Sequence, residues 1–241
     1  MWLLLMPVLK QLLEVMYEIR NDASYMIATE ETTPLNGWDY NLFLNTFIAA
    51  AKTPINFVNS AVTAFGTSYS NSTGSNISGM DLSAINNVMT AFNAFSNALY
   101  NATTTDAIRS DILQTIYFDV ENFFSIPGDL NIDLWDCADQ IASQWNYADA
   151  EAAVLKNAID NAVVAEWHNT TTGLTGNPRS HGIAVHLIHL DENGSPDGID
   201  NAYCQGLSVS YPLSFVSDSA WVPVVPAGPG LLYRLWYEVL P

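Results

Sequence analysis

Apolar residues recur at three- and four-residue spacing along much of the chain, which is the period of amphipathic helices. The pattern predicts helices over residues 14–20, 39–52, 56–65, 81–100, 105–118, 131–141 and 149–168. Pro54 ends the second of these helices or caps the start of the next, and Thr105 or Asp106 caps the fifth. The apolar stripe of the 81–100 helix is rich in Phe, which indicates packed core and not a ligand site.

Two apolar runs have the length and composition of strands, residues 23–29 and residues 181–188. The first run ends in Glu30 and Glu31 and a turn that contains Gly, which is how open α/β sheets build a site at their carboxyl edge. We expect residues 23–29 to be a parallel strand of the main sheet, with the 14–20 helix as its crossover. Residues rich in Gly, Ser, Thr, Asn, Pro or Asp predict loops at 66–80, 123–127, 173–179 and 191–200.

Composition and charge limit the classes of protein to which this chain can belong. The 241 residues are 49% hydrophobic, enough for a buried core in one large domain or a domain with an appendage. The formal charge is −18, with 7 Lys and Arg against 25 Asp and Glu. Because few cations are available to neutralise phosphates, this balance argues against a nucleic-acid partner. An acidic, solubilising surface is the simplest interpretation, and attraction of basic peptides is a second one.

Residues 1–9 are apolar, but no positive residue precedes them and no small-residue cleavage site follows. The run is also too short to cross a bilayer, so we predict no membrane span. We expect an export signal upstream of this chain and an extracellular or extracytoplasmic location.

The chain shows no metal-ligand spacing. Cys137 lies in a helical pattern, where a buried small side chain is favoured, and a disulfide between it and Cys204 stays open. His186 and His189 point to opposite faces of a strand, so with His181 they favour core or surface histidines over Zn²⁺. Residues 191–200 are acidic but lack the ordered ligands of a Ca²⁺ loop. We therefore predict no metal and no cofactor.

Residues 14–40 carry a specific signal, the sequence EVMYEIRNDASYMIATEETTPLNGWDY. The elements E-V-x-Y-E-[IL], Y-x-[IV]-A-[ST]-E-E and P-x-[DN]-G-W-x-Y, in this order, resemble the clostripain-like cysteine peptidases, which are caspase-fold relatives of the gingipains. The resemblance implies an α/β fold, a caspase-like α/β/α sandwich with a helical insertion and C-terminal strands. It continues more loosely to residue 222. We expect residues 1–222 to be the C-terminal portion of such a peptidase domain and residues 223–241 to be a Pro/aromatic tail.

The family's nucleophile does not appear where the resemblance places it. In the family, Asp-Ala-Cys-Leu-Met precedes the helix, with the Cys six residues before the helix Glu. Counting back from Glu14 puts this position at Val8. The family's catalytic His lies further upstream, and residues 1–7 contain no His, while His181 lies in a different element. No catalytic residue is assigned, and we predict an N-terminally truncated, inactive fragment of a cysteine endopeptidase whose relatives often cleave after Arg or Lys.

A shifted reading frame is one hypothesis for this mismatch. The genetic code allows the first nine residues to be encoded by ATG TGG TTG TTG TTG ATG CCT GTC TTA. In another frame the same bases read Val-Val-Val-Val-Asp-Ala-Cys-Leu, a buried strand running into the family's nucleophile. One extra base near Lys10 would join the frames, and the nucleotide sequence decides the matter.

The resemblance implies a substrate-binding set: Thr29, Glu30, Asn36 and Trp38. Family members that cleave after Arg or Lys place carboxylates in this loop, since a buried cation needs a paired charge. Asn36 stands where an Asp is common, which predicts weakened selectivity for basic residues. We expect a peptide or protein substrate as partner. The alternative function is a noncatalytic peptide-binding or structural pseudo-peptidase.

Overall fold

The computed structural model describes residues 2–4, 11–31, 33–71, 75–126, 129–169, 180–190 and 220–223. The helices are α1 (Leu13–Ile19), α2 (Tyr40–Ala49), α3 (Pro54–Ser68), α4 (Ile85–Ala102), α5 (Asp106–Phe118), α6 (Leu134–Trp145) and α7 (Asp149–Ala162). The strands are β1 (Trp2–Leu4), β2 (Tyr25–Ala28), β3 (Asn76–Asp81), β4 (Asn122–Ile126), β5 (Asp129–Asp133), β6 (Val163–His168), β7 (Ala184–Leu190) and β8 (Ala220–Pro223). No helix in these ranges is long and apolar enough to cross a membrane.

The strands form two sheets that meet at residues 11 and 12. One sheet has the order β1-β2-β3-β6, and the other has the order β4-β5-β7-β8. Gln11 N donates to Thr29 O beside β2 at 3.1 Å, and Ala184 N in β7 donates to Gln11 O at 2.9 Å. Leu12 also forms a parallel bridge with Ala184. Residues 11–12 therefore lie between β2 and β7 and connect the two sheets.

Helices cover both faces of the first sheet. Along β2 the side chains alternate, so that Met26 and Ala28 enter one apolar cluster and Ile27 enters the other. The Met26 cluster is built with α1, α4, α6 and α7. The Ile27 cluster is built with α2 and α3. This layering is the α/β/α sandwich that was expected.

The crossover predicted at the start of the chain is present. β1 and β2 are parallel, with Trp2 opposite Tyr25, and α1 connects them. Three other predicted helices have capped starts, because Asp39 accepts from Leu42 N, Thr53 from Asn56 N and Thr105 from Ile108 N. Strand 181–188 is observed as β7, from residue 184.

Four predicted elements were wrong. Residues 66–80, predicted as an exposed loop, contain the end of α3 and most of the buried strand β3. Residues 123–127, predicted as a loop, fall mostly in β4. Residues 131–133 are strand, and α6 starts only after them. The predicted 149–168 helix ends at Ala162, where the β-branched Val163 and Val164 begin β6.

Gly79 in β3 allows α3 to pack closely on the sheet, which generates a prediction. A Cβ at residue 79 would lie 2.0 Å from Val58 Cγ1 of α3. Gly79→Ala should therefore lower the free energy of unfolding by about 1–3 kcal/mol, the usual cost of overpacking. Urea unfolding followed by circular dichroism measures the loss.

A double variant supplies the control. Val58→Ala removes the colliding methyl groups, so the loss in Val58→Ala/Gly79→Ala should be smaller than the sum of the two single losses. Strict additivity would contradict the close approach of α3 to β3.

Candidate functional site

Four segments of the chain meet at one edge of the joined sheets. Glu30 follows β2, and Asn76 begins the antiparallel neighbour β3. Asp133 ends β5, and residues 180–183 lead into β7, its antiparallel partner. Because antiparallel strands bring the end of one strand to the start of the next, all four segments lie at the same edge.

Asn76 joins two of these segments with its side-chain amide. Its Oδ1 accepts from the backbone N of Glu30 at 2.9 Å and of Glu31 at 3.1 Å. Its Nδ2 donates to Glu30 Oε2 at 3.3 Å and to Ser180 Oγ at 3.1 Å. Both acceptor sites and both donors of the amide are therefore used.

Residues 180–182 are held between two buried carboxyl groups, and we call Glu30 and Asp133 the carboxyl clamp. The hydroxyl of Ser180 donates to Glu30 Oε2, and Gly182 N donates to the same oxygen at 3.2 Å. His181 N donates to Asp133 Oδ2 at 2.6 Å. Three successive residues are thus bound alternately by Glu30 and Asp133. Since Glu30 belongs to one sheet edge and Asp133 to the other, the clamp ties the two sheets together.

Gly182 can hold its place in the clamp because it has no side chain. Its φ is +91°, which is strained for other residues, and a Cβ would lie 2.8 Å from Ser78 Cβ. The hydroxyl of Ser78 donates to Gly182 O at 2.8 Å. Residue 182 is therefore fixed from β3 as well as from Glu30.

Asp133 also organises α6 and the His181 ring. Its Oδ1 accepts from Asp136 N at 2.7 Å, which caps the helix. The imidazole Nδ1 of His181 lies 3.5 Å from Asp133 Oδ1. The same ring stacks on Trp135, with 4.0 Å between centroids and 11° between planes. The aromatic stack and the carboxylate together fix the orientation of the imidazole.

The clamp changes the protonation of Glu30. Burial raises the pKa of Glu30 well above 4.5, and the negative charge of Asp133 raises it further. Hydrogen bonds from Ser180 and Gly182 oppose the shift without cancelling it. These effects favour the neutral form of Glu30 beside Asp133. Its Oε1 is buried and has no hydrogen-bond partner among the described residues.

The structure separates the substrate-binding set into a buried part and an exposed part. Thr29, Glu30 and Trp38 are 3%, 2% and 6% exposed. Trp38 packs edge-on against Phe65, with 6.1 Å between ring centroids. Asn36, in contrast, is exposed at a turn in which Gly37 N donates to Pro34 O at 2.8 Å. The carboxyl group of Glu30 is used inside the protein, whereas Asn36 faces outward.

The remaining candidates contribute no nucleophile or metal centre among the described residues. Val8 and Cys204 lie outside these residues. Cys137 is buried, and burial first, then Asp136 and Asp133, raise the pKa of its thiol above the usual range, which keeps it unreactive. In the part of the chain that the structure describes, no cluster of three or more His, Cys, Asp or Glu side chains could hold a metal ion.

Asn76, Asp133 and Ser180 are site residues that the sequence pattern did not indicate. Asp133 had a recognisable signal, since an Asp directly before an amphipathic run is a typical helix cap. Asn76 and Ser180 had none, because their partner Glu30 is 46 and 150 residues away.

Comparison with known proteins agrees with this fold. The model of the clostripain family matches residues 5–226, and the chain belongs to this family. An inactive zymogen C11 protease from Parabacteroides distasonis is similar at 15% identity and TM-score 0.56, over 83% of this chain and 54% of that chain. A clostripain from Bacteroides thetaiotaomicron, in complex with a peptide inhibitor, is similar at 14% identity and TM-score 0.53, over 76% of each chain.

A secreted C11 cysteine protease from Bacteroides thetaiotaomicron, in complex with an irreversible peptide inhibitor, is similar at 19% identity and TM-score 0.51, over 82% of this chain and 54% of that chain. This chain therefore spans about half the length of two of these proteins. Comparison with curated proteins finds no match. The structural similarities establish the caspase-like fold that the resemblance implied.

The raised pKa of Glu30 predicts a pH-dependent contribution to stability. The unfolded chain releases the Glu30 proton near pH 4.5, whereas the folded chain keeps it to higher pH. The stabilisation is therefore complete in acid and is lost as pH rises through the folded-state pKa. Glu30→Gln imitates the protonated carboxyl group, so its stability relative to the unchanged protein should increase with pH. Urea unfolding over a pH series measures this difference.

Glu18→Gln is the matched control, because Glu18 is exposed on α1. Its stability relative to the unchanged protein should stay nearly constant with pH. If the Glu30→Gln difference were equally constant, the pKa of Glu30 would not be raised by folding, and the account of its burial would be wrong.

Proposed function

We propose that this chain is part of a clostripain-like cysteine endopeptidase and that, as written, it binds peptides without hydrolysing them. The single observation that carries the proposal is Val8 at the position where the family pattern has its Cys, in a chain that the clostripain model matches from residue 5. Peptide hydrolysis by this chemistry needs a thiolate and an adjacent base. Valine supplies neither, so the substrate-binding part of the site is what this chain retains.

We assign peptide recognition to the turn after β2. Leu35 is fully exposed and Asn36 is exposed, while the turn is anchored from below by buried Trp38 and by the hydroxyl of Tyr69, which donates to Gly37 O. An exposed turn on a rigid base is suited to contacting a substrate side chain. Glu30, in contrast, is buried and accepts hydrogen bonds from Ser180 and Gly182, so its carboxyl group does not face a peptide cation.

Weak selectivity for basic residues follows from these positions. Asn36 is neutral, and the carboxyl groups of the clamp are buried. The net charge of −18 still attracts cationic peptides at long range. The site therefore accepts Arg or Lys without strongly preferring them over neutral side chains.

An extracytoplasmic location accompanies this proposal. Its support is the similar protein from Bacteroides thetaiotaomicron, which is described as a secreted protease. A structural pseudo-peptidase that binds no peptide is the second candidate function. This function is also consistent with Val8, because a chain without the nucleophile need not keep a substrate site. A measurement of peptide binding distinguishes the two functions, because only the first predicts that a peptide binds.

The first test of function is turnover. The chain should hydrolyse Arg and Lys peptide substrates no faster than buffer does, because no thiolate is available at residue 8. A catalytically competent clostripain-family peptidase, assayed in parallel, is the positive control. Turnover above the buffer rate, from material free of host protease, would refute the proposal.

A thiol-reactive probe gives an independent readout. In a Cys204→Ser variant, buried Cys137 should stay unlabelled in the native state and react only after unfolding. Rapid native labelling would show an accessible thiol and would contradict the position of Cys137 in the core.

The second test concerns the exposed turn. Asn36→Asp should raise the binding preference for an Arg peptide over a matched Gln peptide, because a charged hydrogen bond contributes about 1–3 kcal/mol. Isothermal titration of both peptides measures the ratio. Asn41→Asp adds the same charge on exposed α2 and should leave the ratio unchanged. Equal effects of the two substitutions would mean that the turn does not contact the substrate.

A further inference from the structure

The turn at Asn36 and Gly37 has a chemical property beyond recognition. Among the described residues, Asn36 is the asparagine that a glycine follows. Its side chain is exposed, and nothing lies within 4 Å of the place that a Cβ of Gly37 would take. A side-chain carboxamide, a following residue without a side chain and access to water therefore coincide at one position.

These groups are the reactants of deamidation. The nitrogen of Gly37 attacks Asn36 Cγ, a new C–N bond forms, and the bond from Cγ to Nδ2 breaks. Ammonia leaves with the proton of the Gly37 amide, and a succinimide ring remains. Water then opens the ring at one of its two carbonyl carbons and gives aspartate or isoaspartate. No oxidant or reductant is required.

Two features of the structure control the reaction. The hydrogen bond from Gly37 N to Pro34 O, 2.8 Å long, must open before the nitrogen can attack. Because the turn is exposed, such local opening requires far less than global unfolding. Asparagines inside helices have a fixed backbone conformation that hinders closure of the succinimide ring. Asn97, for example, lies in α4 before Ala98, where the helical backbone and a Cβ both hinder ring closure.

We propose that Asn36 is a deamidation site at which the folded protein acquires a carboxylate on its substrate turn. The anchors of the turn, Trp38 and Tyr69, do not take part, so the fold survives the conversion. The functional consequence rests on the proposed function. Conversion to aspartate places an acid where the related pattern P-x-[DN]-G-W also allows one, and it thereby increases preference for Arg and Lys.

The experiment measures the deamidation of Asn36 and the binding of peptides in the same samples. The folded protein is incubated at mildly alkaline pH, and aliquots are digested and analysed by mass spectrometry. The peptide containing Asn36 should gain the mass difference between NH₂ and OH, with both aspartate and isoaspartate forms. The peptide containing Asn97 is the internal control and should stay unchanged. Asn36→Gln, which would need a larger ring, should remain unconverted at residue 36.

Aliquots are also titrated with the Arg and Gln peptides. The Arg-to-Gln affinity ratio should rise with the converted fraction, on the order of tenfold at full conversion to aspartate. An Asn36 peptide that converts in urea but stays unchanged in the folded protein would overturn the proposal. Conversion with an unchanged affinity ratio would support the modification and overturn the proposed role of the turn in recognition.

Discussion

Two buried carboxyl groups bind one short segment of the chain, and the rest of this structure depends on that constraint. Glu30 and Asp133 bind residues 180–182 alternately, and the two groups come from different sheets. A buried pair of negative charges would be costly, and the raised pKa of Glu30 lowers that cost because it favours the neutral carboxyl group. Asn76 binds the backbone N and Oε2 of Glu30, while Glu30 Oε1 is buried without a hydrogen-bond partner in the described part of the chain. The joined sheets and the start of α6 take their positions from this arrangement.

Two residues of the expected substrate-binding set differ in exposure, since Glu30 is buried in the clamp and Asn36 is exposed. The carboxyl group of Glu30 is buried and accepts hydrogen bonds from inside the protein. Asn36 remains the exposed member of the set and carries no charge. We therefore propose that selectivity for basic residues depends on this one exposed position. In this proposal, a substitution or modification of Asn36 changes recognition while the buried core keeps its contacts.

The sequence predicted the elements whose periodicity or caps were clear, such as α2, α4 and α5, and the motif at residues 14–40 led to the family. It failed at β3, because Asn-Ile-Ser-Gly-Met-Asp has the composition of a loop while the strand lies between β2 and β6. Small residues suit that position because α3 packs against Gly79. β6 was missed because an apolar run after a helix resembles more helix. The clamp could not be predicted, since its residues meet only when the two sheets join.

Native-state hydrogen exchange at residue resolution tests the clamp most directly. The amide hydrogens of His181 and Gly182 are bound to buried carboxyl groups, and Ala184 N donates across the junction to Gln11. These amides should exchange as slowly as the central amides of β3, because they open only when the sheets separate. Fast exchange at residues 181 and 182, with β3 still protected, would show that the carboxyl clamp does not hold the two sheets together.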